Sequence, residues 1–493
     1  MRCKGEEGQT VVVVALAMSI FLIGAVGLAI DGAHLYAQRQ MAQAAADAAA
    51  QAGIMSIFAG TYNTVGNPAG FTTGGTFICG TTDARTPCAY ASQNGFNLSN
   101  DVVTVSFPAA AAVPGVNLAT NYPVTLLQVT VQRQVNTTLM GLLGTSASTI
   151  QANAVAAIVQ VLAPVPILVT HPTLTGAFSI GGTPLITICG GPSKSIQVDS
   201  SDPAAAQAHG NATVNLSHAG PPDPGNCTSG TGADFGVWGG PSTAPFIYNG
   251  GSTGKYLQPA SPMQDPLAGV SPPPIPTLAP NPAPLGNGVS GCPGSPRKPC
   301  MLYSPGLYPN GIDGKQQTVM FEPGIYYIQS SNGVGCSALC DMYMATGFTD
   351  AITGTGWTGN MLIYNTGSTT NPTLSGSINL GANGNVALIG APANSQYLGM
   401  LLFEDRNAAA QTHSLGGGGA MTLQGTVYLT NTRNTMLANS AQYQALQLQG
   451  GSGSGTLIQG EIIVGTLSMG GNGSIQMNLN NNELDVQEVA MVE

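Results

Sequence analysis

The sequence is short of charge, of basic residues and of aromatic residues. Only 7% of its 493 residues are charged and 6% are aromatic, whereas a typical soluble domain carries about 25% charge. Lys and Arg total 12 against 22 acidic residues, so the basic footprint that a nucleic-acid-binding protein needs is missing. From Gln134 to Ser193 no residue is charged. We therefore expect no nucleic-acid partner and a protein unlike a typical cytoplasmic enzyme.

Glycine, proline and small polar residues take the place of charge, with 67 Gly and 34 Pro. From residue 163 onward, short apolar runs such as Met361–Tyr364 and Glu461–Val464 alternate with Gly, Asn and Pro, a pattern typical of short strands joined by turns. Ser304–Tyr308 reads SPGLY and returns as EPGIY at Glu322–Tyr326. We therefore predict a mainly β protein in which residues 163–493 form a right-handed parallel β-helix of stacked coils. The same pattern allows an antiparallel β-sandwich.

The β region has one long interruption. Residues 219–299 are rich in Pro and Gly and include the string SPPPIP at Ser271–Pro276. Such a composition favours extended, partly polyproline backbone. We expect an excursion from the β-helix over about 219–299.

The N-terminus carries one long apolar run. Thr10–Ile30 contains 21 residues without charge, enough for a helix to cross the ~30 Å hydrocarbon core. Arg2 and Lys4 precede it, so the positive-inside rule predicts a cytoplasmic tail at residues 1–9 and an exported remainder. The alternative is a signal peptide cleaved near Gly27–Ala29, although its apolar region is usually only about 7–15 residues long. A single-pass bacterial inner-membrane protein with a periplasmic or surface-exposed bulk is the expectation.

The apolar run continues into a sequence of high helix propensity. Asp31–Gly53 has no proline and many alanines, so one helix is expected to run from the membrane to about residue 57. Residues 31–160 then form an exported helix with a small α+β domain. Small residues four apart let a second helix approach closely within a membrane. The helix-packing candidates are Gly24, Ala25, Ala29, Gly32, Ala33 and Ala37.

Residues 8–55 resemble the N-terminal segment of TadE/TadG-like proteins of the bacterial Flp (tight adherence) pilus-assembly system. The resemblance rests on Gly8-Gln9-Thr10, the apolar span, Asp31-Gly32 and the string YAQRQMAQAAADAAA at Tyr36–Ala50. Processed pseudopilins of that system carry a Glu five residues after the cleavage-site Gly, where this chain has Val13, so the unprocessed TadG-like branch fits better. The resemblance implies a membrane protein whose N-terminal helix contacts other pilus-assembly or envelope subunits.

Nine cysteines divide into one and eight. Cys3 precedes the span, and the eight others lie in the segment that we expect to be exported, where disulfides form. Pairing of sequence neighbours is the simplest of the many possible connectivities. It gives the candidates Cys79/Cys88, Cys189/Cys227, Cys292/Cys300 and Cys336/Cys340. A metal site made by the last four cysteines is the alternative, but their spacings match no common zinc motif.

The search for catalytic residues finds no constellation. Acidic pairs are few, and Glu404-Asp405-Arg406 is interpreted as a solvated turn with a local ion pair. Gly250–Gly254 matches the Gly-x-Ser-x-Gly string, but it lies in the Pro/Gly-rich excursion rather than between a strand and a helix. We therefore predict no enzyme, no cofactor and no metal.

Three functions remain open at this stage. The first is a membrane-anchored structural component of a Flp/Tad-type pilus-assembly or cell-adhesion apparatus. The second is a surface adhesin that binds glycan, with Trp238, Trp357, Tyr303 and Tyr326 as candidate contacts, although packing roles are the simpler interpretation of each. The third, a carbohydrate-active β-helix enzyme, has the least support.

Overall fold

The computed structural model shows a mainly β protein with one long N-terminal helix. It describes residues 7–63, 66–109, 118–119, 122–162, 165–223, 225–293, 298–336, 339–368, 375–381, 384–392, 395–408, 411–416, 418–430, 445–450, 456–479 and 485–492. The chain divides into two compact units. Unit 1 comprises Met1–Gln160 with Gln487–Glu493, and unit 2 comprises Val161–Val486. The cytoplasmic tail expected at residues 1–9 lies largely outside the described residues.

Helix α1 (Glu7–Phe58) runs unbroken through the apolar run and the alanine-rich sequence after it. Every side chain described at positions 11–26 is exposed. From Gly27 onward a stripe of positions repeating every three to four residues is buried, as expected for one face of a helix. Its small members let α1 lie close against a sheet, and they are Ala42, Ala45, Ala46, Ala49 and Ala50, all fully buried. The late alanines thus pack within the chain itself.

The rest of unit 1 is a five-stranded sheet with one short helix. In spatial order the strands are β1 (Phe77–Ile78), β2 (Asp101–Ser106), β3 (Leu126–Asn136), β4 (Ala147–Leu162) and β34 (Asp485–Met491). Neighbouring pairs from β1 to β4 are antiparallel, and α2 (Thr86–Gln93) packs on α1. We had assigned the chain's end to the β-helix. That assignment is wrong for the last residues, because β34 joins this sheet and the Val492 N–H donates to Val155 O at 2.9 Å.

Unit 2 consists of three sheets whose strands are numbered along the chain. The eleven-stranded sheet contains, in spatial order, β12 (Ile247–Asn249), β10 (Thr213–Ala219), β7 (Leu185–Gly190), β33 (Ser474–Leu479), β30 (Thr456–Gln459), β27 (Met421–Gln424), β24 (Val386–Ile389), β21 (Asp341–Met344), β18 (Thr318–Phe321), β15 (Cys300–Tyr303) and β14 (Ala283–Leu285). The ten-stranded sheet contains β13 (Tyr256–Leu257), β11 (Asp234–Val237), β8 (Lys194–Val198), β5 (Ile167–Val169), β31 (Ile462–Val464), β28 (Thr426–Leu429), β25 (Met400–Glu404), β22 (Met361–Thr366), β19 (Gly324–Gln329) and β16 (Gly306–Tyr308). The eight-stranded sheet contains β17 (Ile312–Asp313), β20 (Val334–Gly335), β23 (Ile378–Leu380), β26 (His413–Leu415), β29 (Leu446–Gly450), β32 (Leu467–Gly471), β6 (Phe178–Gly182) and β9 (Ala206–Gly210).

Over most of unit 2 the chain visits the three sheets in turn, so a strand usually pairs with the strand three further along the chain. Thus β19 pairs with β22, β22 with β25 and β25 with β28. Among the described strands of unit 2, every pair is parallel except β14 with β15. The alternative of an antiparallel β-sandwich is therefore wrong. Inward side chains such as Ile363, Leu402 and Val427 are fully buried, which supplies the apolar core that parallel sheets require.

We call three successive strands, one in each sheet, a coil, and the pile of paired coils the stack. The stack consists of two sets of coils, which we call the first run and the second run, and the two runs meet in its middle. The first run, β5 to β13, does not continue into the second run at the point of contact. Instead its first strands pair with the last strands of the chain: β5 with β31, β6 with β32 and β7 with β33. The chain therefore enters and leaves unit 2 at neighbouring positions in the stack.

The interruption is shorter than the one we predicted at 219–299, because β11, β12 and β13 still belong to the sheets. Residues 258–282, between β13 and β14, contain no strand of the three sheets, and we call this segment the strap. It crosses the ten-stranded sheet from β13 towards β16: the Met263 N–H donates to Asp199 at 3.0 Å, and Leu278 bridges to Leu307. The same sheet carries a row of rings, those of Tyr327, Tyr364, Phe403 and Tyr428, whose neighbouring centroids lie 5.0 to 5.5 Å apart in tilted or edge-to-face pairs.

Candidate functional site

The most informative contact of unit 1 joins α1 to the tip of the β3–β4 hairpin, which we define as residues 137–146. Gly27 faces Leu139 so closely that an added Cβ would lie 2.7 Å from the Leu139 Cβ. Any larger residue at this position would push the hairpin away from the helix. The glycine therefore sets how closely the tip approaches α1.

Asp31, one helical turn after Gly27 on α1, binds the same hairpin tip. Its carboxylate accepts hydrogen bonds from the Thr138 N–H (3.1 Å) and hydroxyl (2.6 Å), the Leu139 N–H (2.9 Å) and the Met140 N–H (2.6 Å). The bond from Met140, followed by that from the Thr138 hydroxyl, lowers the pKa of Asp31 to about 2. The side chain is almost fully buried, and four donors compensate for its lost hydration. Sequence analysis missed this role, although an Asp directly after a 21-residue apolar run is a recognisable signal.

The tip and the helix enclose an apolar notch of about 190 Å³. We call this feature the notch, and its lining residues are Ile20, Ile23, Gly24, Gly27, Leu28, Leu139 and Met140. Six of these seven carry no polar side-chain atom and the seventh is methionine, so the space suits a hydrocarbon occupant.

The six helix-packing candidates are all exposed. Ala25 and Ala29 lie about half a turn of helix from Gly27, so they point away from the tip. An added Cβ at Gly32 meets nothing within 4 Å. Gly24 differs from the others because it lines the notch. The face that carries Ala25, Ala29 and Gly32 is thus left uncovered by the described part of this chain.

Four disulfides join the cysteines that are neighbours in sequence: Cys79–Cys88, Cys189–Cys227, Cys292–Cys300 and Cys336–Cys340. The proposed four-cysteine metal site is therefore replaced by two disulfides. Cys79, Asp83 and Cys88 also lie close together, but their two sulfurs are bonded to each other and offer no thiolate to a metal. Cys3 lies outside the described residues.

The interpretation of Glu404-Asp405-Arg406 as a solvated turn is wrong. Glu404 is fully buried, and its Oε1 lies 3.2 Å from Nε2 of the equally buried His413. The Ile378 N–H donates to His413 Nδ1 at 3.0 Å, so in the neutral ring the proton lies on Nε2, which faces Glu404. Ser375 donates to Glu404 Oε1 at 3.4 Å. The carboxylate thus stands between serine and histidine inside the stack, where it cannot serve a Ser-His-acid relay.

Arg406 instead fixes the strap. Its Nε donates to the Tyr428 hydroxyl at 2.6 Å, Nη1 donates to Val270 O at 2.8 Å, and Nη2 donates to Leu267 O. The Tyr428 hydroxyl in turn donates to Asp265 at 2.6 Å. Burial, with a further contribution from Asp265, raises the pKa of Tyr428, so the phenol remains a donor at neutral pH.

The other candidate residues lie in turns or in the core. Gly250–Gly254 forms a turn after β12, where the Ser252 hydroxyl donates to Thr231 O at 3.0 Å, and no helix follows it. Tyr303, Tyr326 and Trp357 are buried, whereas Trp238 is exposed. Two other close acidic pairs of the β region are Asp199/Asp202 and Glu483/Asp485. Asp199 accepts hydrogen bonds from Gln197 and Met263, and Glu483 lies outside the described residues. These positions do not assemble a catalytic centre within the described part of the chain.

Comparisons with known proteins agree with the resemblance at the N-terminus. The family described as "Putative Flp pilus-assembly TadE/G-like" matches residues 8–59, which confirms our identification of that segment. Among curated proteins no sequence matches. The solved structures that match include the competence-associated pilin ComZ from Thermus thermophilus, with 10% identity over 87% of this chain and 90% of that chain and a TM-score of 0.22. A TM-score this low does not establish a common fold.

Proposed function

We propose that this protein is a membrane-anchored, non-enzymatic structural component of a Flp/Tad-type pilus-assembly or cell-surface adhesion apparatus. One observation carries the proposal: the segment of pilus-assembly type coincides with α1, a helix that is long and apolar enough to cross a membrane. The same helix continues without a break into the core of unit 1. A membrane anchor and a folded exported unit would thus share one rigid element.

In this proposal α1 crosses the bacterial inner membrane once, with residues 1–9 in the cytoplasm and residues 31–493 outside it. The contact of Gly27 with Leu139 favours a retained anchor over a cleaved signal peptide, because cleavage near Ala29 would remove a residue that packs on unit 1. The four disulfides accord with an exported, oxidising location.

Unit 2 would serve as a rigid surface module. Three parallel sheets visited in turn, one strand to each, are the arrangement of a parallel β-helix, and we propose that fold with the right-handed sense that β–crossover–β connections usually take. Three of the four aromatic candidates for glycan contact are buried, so they offer no carbohydrate platform. Glu404 and His413 are enclosed, which favours a structural over an enzymatic role.

The partner of α1 would be a second membrane helix, from another assembly or envelope subunit. The face with Ala25, Ala29 and Gly32 is suited to it, since small residues allow close helix–helix approach. Because unit 1 occupies the opposite face, both contacts can exist together.

Topology is tested by alkaline carbonate extraction and by protease treatment of spheroplasts. The full chain should stay with the membrane, and protease should digest it while sparing residues 1–9. A soluble species that starts near Ile30 would contradict the retained anchor.

The role in assembly is tested by deleting the protein in its host and complementing the deletion. The wild-type chain should restore pili and attachment, Ala29→Leu should not, and the matched control Ala17→Leu should, since both add the same apolar volume to α1. Equal restoration by the two variants would contradict a partner helix at this face, and pili that persist in the deletion strain would contradict the assembly role.

A further inference from the structure

The tip of the β3–β4 hairpin is unusually apolar for a loop. Loop tips run over protein surfaces and are normally polar, yet Leu139, Met140, Leu142 and Leu143 occupy four of five successive positions. The tip contains no charged residue. Leu139 and Met140 are only half-buried, so part of their apolar surface remains uncovered by the protein.

The position of the tip along α1 fixes its depth. Leu139 packs at Gly27, three residues before Ile30, where the apolar run ends. At 1.5 Å per residue, Gly27 lies about 4–5 Å inside that end, and Ile20, which also lines the notch, lies about 15 Å inside it. A bilayer that covers the 21-residue run therefore reaches the tip as well.

We propose that residues 137–146 are inserted into the outer boundary of the lipid bilayer, and that lipid acyl chains fill the notch between the tip and α1. This inference rests on the proposed membrane anchor. It adds a second membrane contact, which comes from unit 1 and would orient that unit on the lipid surface. The occupant is hydrocarbon because the notch is apolar and is continuous with the exposed surface of the span.

Asp31 is the positioning residue of this contact. Apolar side chains at the tip gain by entering lipid, but the backbone N–H groups of the turn would lose their water there. Asp31 accepts hydrogen bonds from three of these N–H groups, those of Thr138, Leu139 and Met140. The same hydrogen bonds compensate the carboxylate for its lost hydration and give these backbone N–H groups an acceptor. The turn can therefore enter the membrane boundary with these polar atoms paired.

The test places a benzoylphenylalanine photoprobe in the full-length protein, reconstituted in vesicles of phosphatidylcholine and phosphatidylglycerol. The probe replaces Met140 in one variant, Phe21 in a second and Asn153 in a third. Phe21 is 75% exposed within the apolar run. Asn153 is exposed on β4, and its carbonyl accepts from Gln43 at 2.8 Å, thirteen residues or about 20 Å beyond Ile30.

Illumination followed by mass spectrometry should find lipid adducts at positions 21 and 140 and none at 153. Adducts at 21 but not at 140 would overturn the inference while the anchor stands. A protein without adducts at either position would overturn the anchor and this inference together.

A second variant tests the role of Asp31. Asp31→Asn keeps the size of the side chain but replaces one accepting oxygen by a donor, so the yield of adduct at position 140 should fall severalfold while the yield at position 21 is unchanged. An unchanged ratio of the two yields would show that Asp31 does not position the tip.

Discussion

Arg406→Ala should release the strap from the ten-stranded sheet. The guanidinium donates hydrogen bonds to the strap carbonyls of Leu267 and Val270 and to the Tyr428 hydroxyl. It also lies 4.9 Å from the centroid of the Tyr428 ring. Truncation removes all these contacts and leaves two buried carbonyl groups without their charged donor.

The size of the expected effect follows from the two hydrogen bonds that join Arg406 to the strap. A hydrogen bond to a charged group contributes about 1.5–3 kcal/mol, and Arg406 is half-buried, so we take the lower end for each. Docking of the strap should weaken by about 3 kcal/mol. Since about 1.4 kcal/mol is tenfold in an equilibrium constant, the detached population should rise about 100-fold.

Native-state proteolysis measures that population, because a protease cleaves a detached strap and spares a docked one. Leu267 is 4% exposed, so cleavage after it reports detachment. The matched control is Lys315→Ala, which removes one positive charge at an exposed site on unit 2 and should leave the cleavage rate unchanged. Cleavage of Arg406→Ala at the wild-type rate, or equal acceleration in both variants, would refute the reasoning.

Two further predictions concern buried positions of the stack. Ile463→Asp should lower the free energy of unfolding by at least about 4 kcal/mol, because it leaves a cavity and an unpaired carboxylate at a fully buried site. The control Asn472→Asp lies at an exposed turn and should change the free energy of unfolding by no more than about 0.5 kcal/mol. Urea titration of the full chain in detergent measures both, and equal losses would contradict the burial argument. Burial raises the pKa of Glu461 well above its usual value. Between the two pKa values the folded chain keeps the proton on this carboxyl group, whereas the unfolded chain releases it. The free energy of unfolding therefore falls as pH rises above about 4.5, with a slope of up to about 1.4 kcal/mol per pH unit. Glu461→Gln removes this loss, so its stability relative to wild type should increase from pH 4 to pH 7; a difference that does not change with pH would contradict a protonated Glu461.

Local patterns in the sequence predicted the helices and strands well, but they did not predict which strands pair with each other. The apolar run, the alanine-rich continuation and the short strands are each encoded within one continuous stretch of chain, so the helix and the mainly parallel-sheet character of the chain could be inferred. The pairing of β5 with β31 joins residues nearly three hundred positions apart. Neither composition nor periodicity carries that information.

The error at Glu404-Asp405-Arg406 has the same origin. Three adjacent charges suggest a local ion pair when only the sequence is read. In the structure, Glu404 ends a strand with its side chain inward, whereas Arg406 lies two residues further on, where the strap passes. The partner of Glu404 is His413, on the next strand along the chain, whereas Arg406 donates to Val270 in a segment 136 residues away. The charges differ in burial because the fold separates them.

The two-run stack explains why the strap and Arg406 matter together. At the junction of the runs, β5, β6 and β7 meet β31, β32 and β33 through strand pairing alone, with no chain connection between the paired strands. The covalent link between the runs is the strap, which joins opposite ends of the ten-stranded sheet across nine spacings of about 4.8 Å, or about 43 Å. If the two runs separated, the strap would have to extend. Because Arg406 fixes the strap about halfway along its length, only the part of the strap on one side of this contact is free to do so. The contact of Arg406 with the strap therefore also resists opening of the stack at this junction.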